Sequence, residues 1–243
     1  DGVVHCASRF LGEHTPDDVD DLVTSNVLFS TQLLELSVRT RVRWFINTGS
    51  FWQHYEGRTY SPVNLYAATK QAFESLARFY VESFGIDFVT LKLSDTYGPN
   101  DTRPKIFSLW KKSVESGETL EMSWGEQCLD VVYIDDVVDA YARMVDLLQD
   151  DDQGRFAGRS FAVSSGRPLK LRALAGVFEQ VAGGKLNIAW GKRGYRKREV
   201  MEPWSKGARI PGWNAKVTLE DGIDAFLRAR DEGQEAVRVI SGT

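Results

Sequence analysis

The strongest constraint on the fold of this chain is the alternation of short apolar runs with longer amphipathic segments. Val42-Arg-Trp-Phe-Ile-Asn-Thr48 and Phe88-Val-Thr-Leu-Lys-Leu93 read as buried strands. Between them lies a long helix over residues 63–84, stopped by Gly85, with Leu65, Ala72, Phe73, Leu76, Phe79 and Tyr80 on its apolar side. Ahead of both, Asp1-Gly-Val-Val-His-Cys-Ala-Ser8 reads as another strand. Thr15-Pro-Asp-Asp-Val-Asp-Asp21 then opens a helix running to about Val38, with Pro and Asp where a helix N-terminus favours them. Strands alternating with helices predict an α/β chain with a parallel sheet covered on both faces.

The second half is more mixed. Helices are expected at about 104–117, Asp136–Leu148, about 170–182 and about 218–229. Strands are expected at about 119–123, Leu129–Ile134, 160–164 and 186–190. The acidic Gln149-Asp-Asp-Asp-Gln-Gly154 reads as a solvated loop, and the polar tail from Arg230 as a frayed end. A net charge of −4 argues against a nucleic-acid-binding surface. No apolar stretch approaches bilayer-spanning length, and no signal peptide is visible, so no membrane partner is expected. Cys6 and Cys128 lie far apart without metal-like spacing, which points to a reducing, cytoplasmic setting.

Chemistry is concentrated in Asn64-Leu-Tyr-Ala-Ala-Thr-Lys-Gln-Ala-Phe-Glu74. Tyr66 and Lys70 are four apart, so a helix places phenol and ammonium on one face. Ser50, sixteen residues upstream at the end of an apolar run, could complete a three-point site for a carbonyl oxygen. Such a site is a proton-transfer device for hydride chemistry at a C=O/CH–OH centre. The pair taken alone reads more readily as ordinary helix packing, and its setting has to raise the catalytic reading.

Six segments in order resemble the extended short-chain dehydrogenase/reductases of the NAD-dependent epimerase/dehydratase family that act on nucleotide sugars. They are Asp1–Ser8, Asn26–Glu35, Phe45-Ile-Asn-Thr-Gly-Ser50, Pro62–Glu74, Leu91-Lys-Leu-Ser-Asp-Thr-Tyr-Gly-Pro99 and Asp130-Val-Val-Tyr-Ile-Asp-Asp136. The likeness runs to about residue 225. Asn47–Trp52 and Gly125-Glu-Gln127 are most similar to the CDP-abequose/paratose synthase type, which reduces a 4-keto sugar nucleotide.

The resemblance implies a Rossmann-like, doubly wound parallel sheet, truncated at its N-terminus, with a smaller mixed C-terminal substrate lobe. Residues 1–100 would be the remainder of the dinucleotide-binding domain. Residues 101–243 would mainly form the lobe, with 129–149 and 160–164 returning to the first domain. It further implies that Tyr66 acts as acid/base, with Lys70 favouring the phenolate and binding the nicotinamide ribose, and that Ser50 donates to the substrate oxygen. Ala7, Ser8 and Thr48, with Tyr66 and Lys70, would contact the NAD or NADP cofactor. Asp95 and Arg196 would contact the nucleotide-diphosphate sugar, and a homodimer would form through a helix bundle that includes the Tyr-Lys helix.

Several alternatives stay open. Thr48 reads equally as a plain strand residue and Asp95 as a loop cap. Trp124, Trp190 and Trp204 could wall a pocket, with core packing favoured for at least two. Of the five charges in 192–198, only Arg196 is singled out; the others read as solvated.

Two departures matter. The family's glycine-rich phosphate loop would lie ahead of Asp1, with about sixty to seventy residues of the first half-fold. The chain is therefore expected to be a fragment, the alternative being a non-catalytic relative that binds a nucleotide sugar or a protein partner. The family's Arg before the Asp of the 130–136 motif is Leu129 here. Phe51-Trp52 replace the Asp-Glu pair of dehydratases, which argues against elimination. NAD versus NADP, ketoreductase versus epimerase, and the identity of the sugar stay undecided by residue type.

Overall fold

The structure, a computed structural model, describes residues 1–99, 101, 103 and 105–229. In chain order, β1 (Gly2–His5) leads to α1 (Val19–Val23), a π-helical turn over Thr24–Leu28, and α2 (Phe29–Arg39). β2 (Trp44–Ser50), α3 (Leu65–Phe84), β3 (Asp87–Leu93) and β4 (Asp95–Tyr97) follow. Then come α4 (Ile106–Ser116), β5 (Leu120–Met122), β6 (Cys128–Leu129), β7 (Val131–Tyr133) and α5 (Ile134–Gln149). The chain continues through β8 (Arg159–Val163), β9 (Leu169–Lys170), α6 (Leu171–Ala182), β10 (Ile188–Trp190), β11 (Ala208–Arg209) and α7 (Leu219–Arg228). The tail expected to fray from Arg230 lies outside the described residues.

The main sheet has the order β1-β2-β3-β8-β11, and every pairing in it is parallel. Alternate residues of β2 serve opposite faces, as the pleat requires. Trp44 and Ile46 join Val89, Leu91 and Phe161 under α5, whose Val137, Ala140, Met144 and Leu148 are buried there. Phe45 faces the other way and packs with Leu34 of α2 and Phe73, Ala77 and Tyr80 of α3. Helices on both faces explain why β2 and β3 are buried and largely apolar on both sides. A third cluster joins Phe107 and Trp110 of α4 with Leu174 and Phe178 of α6 and Ile223 and Phe226 of α7, forming a lobe beside the C-terminal end of the sheet.

Four details depart from the sequence reading. The helix expected from Thr15 to Val38 is interrupted by the π turn. The strand expected over Leu129–Ile134 is broken at Asp130, because that buried carboxylate turns aside to accept from Ser164 Oγ (2.6 Å), Ser165 N (2.9 Å) and Ser165 Oγ (2.8 Å). This knot ties the start of β7 to the end of β8. β4, β9 and β11 were not foreseen; two or three residues carry no readable period. Finally, Ala72, Leu76 and Phe79 of α3 are exposed, whereas Ala67, Thr69 and Lys70 are buried.

Candidate active site

The parallel register brings the ends of β1, β2, β3 and β8 to one edge: His5 lies opposite Asn47, Ser50 opposite Leu93, and Leu93 opposite Val163. In open α/β sheets this carboxyl edge is where ligands bind. Ser50 closes β2 and caps a 3-10 turn over Phe51–Gln53, its Oγ accepting the Trp52 N–H at 3.2 Å. The hydroxyl hydrogen is left to donate elsewhere.

Asn64 starts α3. Its Oδ1 accepts the Ala67 N–H at 3.0 Å, while its Nδ2 donates to Leu11 O (3.1 Å) and Gly12 O (2.8 Å). One side chain therefore caps the helix and pins the loop leaving β1. At the other end, Gly85 adopts φ 69°, a left-handed cap that suits glycine.

Tyr66 and Lys70 stand one turn apart, with the Lys70 ammonium 5.9 Å from the Tyr66 ring centroid. Phe10 lies edge-on to Tyr66 at 5.0 Å and 5.7 Å from Trp52, so it bridges the Ser50 turn and the tyrosine. Burial pushes the Tyr66 phenol up to about 12, against the pull of the Arg103 guanidinium and a hydrogen bond with Ser8. Burial lowers Lys70 to about 8, opposed by Cys6 and Glu74. The Lys70 ammonium makes no hydrogen bond among the described residues. Three N–H donors with no acceptor, at the edge of a parallel sheet, fit a hydroxyl-rich ligand.

Asn26 organises this edge. It sits in the π turn, fully buried, with Oδ1 accepting from Arg9 N (2.8 Å) and Ser8 Oγ (3.1 Å), and Nδ2 donating to Arg9 O (3.0 Å) and Thr69 Oγ1 (3.0 Å). Thr69 Oγ1 in turn donates to Tyr66 O at 2.8 Å. The sequence placed Asn26 in a motif but gave it no task. Asn26→Leu should destabilise the fold by roughly 2–3 kcal/mol, because several buried polar groups lose their partners. Denaturant titration measures it, and a loss below about 0.5 kcal/mol would contradict this role.

The remaining candidates are placed as follows. Ala7 is exposed just past β1, and Ser8 is half-buried beside it. Thr48 Oγ1 donates to His5 O at 2.9 Å and accepts from Tyr141 at 2.5 Å, so its only donor is already engaged. Asp95 opens β4; it is open to solvent, yet desolvation raises its carboxyl to about 6, with Lys105 and Arg196 opposing and Asp130 assisting. Arg196 is half-exposed and pairs with Glu13 at 3.4 Å. Arg198, expected to be solvated, instead lies 4.2 Å over the Tyr55 ring and donates from Nη2 to Ser61 Oγ at 2.7 Å. Trp204 stacks on His54 at 3.9 Å, Trp190 packs against the lobe core, and Trp124 is exposed. Both cysteines are free. Among the described residues, no helix is long and apolar enough to cross a membrane and no metal-ligand cluster occurs.

Residues 1–157 match the profile of the NAD dependent epimerase/dehydratase family. The chain belongs to this family. Among its relatives, the CDP-abequose synthase of Salmonella muenchen is 29% identical over 233 residues, covering 94% of this chain and 76% of that protein. The structure resembles UDP-glucuronic acid 4-epimerase from Bacillus cereus, solved with UDP-glucuronic acid and NAD (TM-score 0.81, 21% identity, 93% of this chain and 74% of that one). It also resembles RMD from Pseudomonas aeruginosa complexed with NADPH (TM-score 0.76, 23% identity, 93% of this chain and 80% of that one). These likenesses establish the Rossmann-like fold of this epimerase/dehydratase family member. The family match supplies the NAD dependence.

Proposed function

We propose that this family member is an NAD(P)-dependent nucleotide-sugar oxidoreductase acting at C4 of an NDP-sugar, as a 4-ketoreductase or an epimerase. The observation that carries the reading is the half-buried Tyr66 on α3 with the buried, unpartnered Lys70 ammonium one turn on. The dinucleotide, when bound, supplies or accepts the hydride. Lys70 holds its nicotinamide ribose hydroxyls, and Ala7 and Ser8 give it a small-residue edge. Thr48 backs that edge through His5 and Tyr141. Ser50 donates to the sugar carbonyl as negative charge develops. Tyr66 gives its proton to the same oxygen. A phenol pushed up to about 12 stays protonated at neutral pH, which suits the reductive direction.

Asp95 accepts from a sugar hydroxyl. Arg196 exchanges its exposed Glu13 partner for the diphosphate, at little cost for a solvated pair. The lobe built on α4, α6 and α7 holds the sugar nucleotide. The two free thiols suit the reducing cytosol expected from the sequence.

Two incubations test the reading in the full-length protein. Net NAD(P)H consumption with 4-keto sugar nucleotides identifies a reductase. Interconversion of C4 epimers without net cofactor change identifies an epimerase. Neither outcome would leave a non-catalytic relative and overturn the proposal.

The exposed face of α3, carrying Leu76, Phe79 and Phe84 beside Leu36 of α2, is proposed to join two copies of the chain. Phe79 is 58% exposed and, among the described residues, makes edge-on ring contacts with its neighbours Tyr80 and Phe84 alone. Phe79→Glu should convert a dimer to a monomer in sedimentation without loss of helix content. A monomeric parent protein would contradict this.

A further inference from the structure

Behind the candidate site runs a buried polar chain that no step above uses. Gln53 is fully buried. Its Oε1 accepts the Ser50 N–H at 2.9 Å, and its Nε2 donates to Glu74 Oε1 (2.8 Å) and Gln71 Oε1 (2.9 Å). The amide can sit only this way round. A flip would set N–H against N–H at Ser50 and oxygen against carboxylate at Glu74.

Glu74 is one helical turn beyond Lys70 and two beyond Tyr66, on the same face of α3. Its other oxygen pairs with Lys92 Nζ at 3.2 Å, and that buried ammonium also meets His54 Nε2 at 2.9 Å. Burial and Lys92 hold His54 near about 4, so its neutral ring accepts from Lys92 while Nδ1 donates to Arg58 O at 3.0 Å. There is no slack beside the amide: a Cβ on Gly49 would come within 2.9 Å of Gln53 Oε1.

We infer that Gln53 is a positioning residue, a brace that fixes the Ser50 hydroxyl at the end of β2 relative to Tyr66 and Lys70 on α3. The inference rests on the reading of Ser50 as the donor to the substrate oxygen. Among the described residues, only the Gln53 side chain spans directly from the Ser50 backbone to the face of α3 that carries both groups. Its Glu74 anchor is itself immobilised by Lys92 and His54. Loss of the brace frees the strand end without touching the residues that hold the cofactor.

The test is a double-mutant cycle in the full-length protein, with NAD(P)H and the active 4-keto sugar nucleotide. Gln53→Leu should lower kcat at least about tenfold, the scale of a small misplacement of a reacting group, with cofactor affinity unchanged. In the Ser50→Ala background the same change should lower kcat less than about twofold, because the group being positioned is gone. An undiminished loss in that background would overturn the inference. So would a Gln53→Leu protein that binds cofactor normally and turns over at the parent rate.

Should Gln53→Leu fail to bind cofactor, Gln53→Glu decides. Its kcat relative to the parent should recover as pH falls and a proton is restored between the paired carboxyls; a flat ratio counts against the brace. If Ser50→Ala alone leaves kcat intact, the assignment of Ser50 fails, and that result is distinct from either outcome at Gln53.

Discussion

Tyr66→Phe is expected to cut turnover by on the order of 10²–10⁴ or more while leaving the fold intact. The hydroxyl is the only atom lost. Its hydrogen bond is with Ser8, which keeps Asn26 as a second partner. The ring stays packed edge-on against Phe10. Steady-state oxidation of NAD(P)H, read beside thermal unfolding, checks both halves. Undiminished turnover in this variant would refute the assignment of Tyr66. A collapse of stability would mean that the phenol is structural.

Lys70→Met is expected to abolish turnover and at the same time stabilise the protein by about 3 kcal/mol at neutral pH. The figure follows from burial lowering Lys70 from 10.5 to about 8, which measures the cost of keeping a charged ammonium there. Between about 8 and 10.5 the unfolded chain binds one more proton than the folded one, so stability rises with pH across that window; below about 8 the full penalty is present. Met fills the same space without charge, so the variant should lose that slope. Reductive turnover of the parent should fall above pH about 8 as Lys70 deprotonates, and Lys70→Arg should carry that limb to higher pH. Chemical denaturation at several pH values measures the first effect and a pH–rate profile the second. A destabilised Lys70→Met protein would show that the ammonium is satisfied by partners within the fold.

The layered α/β architecture was legible because β2 and β3 are largely apolar and α3 ends on a glycine in the left-handed region. The placement of the candidate residues Ser50, Tyr66 and Lys70 was legible from local spacing: four residues on one helix, and the tip of a neighbouring strand. The exposed side of α3 was not, because a period of 3.6 locates apolar residues on a helix without saying whether the protein's own core covers them.

The brace was hidden for a different reason. Gln53 reaches residues 18 and 21 positions away, and nothing local marks those partners. One signal did exist: Lys92 interrupts the apolar run of β3, and a charge in a buried strand requires a counter-charge. Thr48 shows the converse. A hydroxyl at the right place on a strand looked available, yet the β1 carbonyl and Tyr141 had already engaged it. Arg198 likewise read as one of four solvated charges beside Arg196, and only the fold brings Tyr55 and Ser61 to it.

The central claim is hydride transfer at the sugar C4 with Tyr66 moving the proton. The most direct measurement uses NAD(P)H deuterated at the transferring position of the nicotinamide, with a 4-keto sugar nucleotide and the full-length protein, and locates the label by NMR. The expected result is deuterium at C4 of the sugar with the parent protein and none with Tyr66→Phe. Label at another carbon, cofactor oxidation without label in the sugar, or equal labelling by Tyr66→Phe would contradict the account.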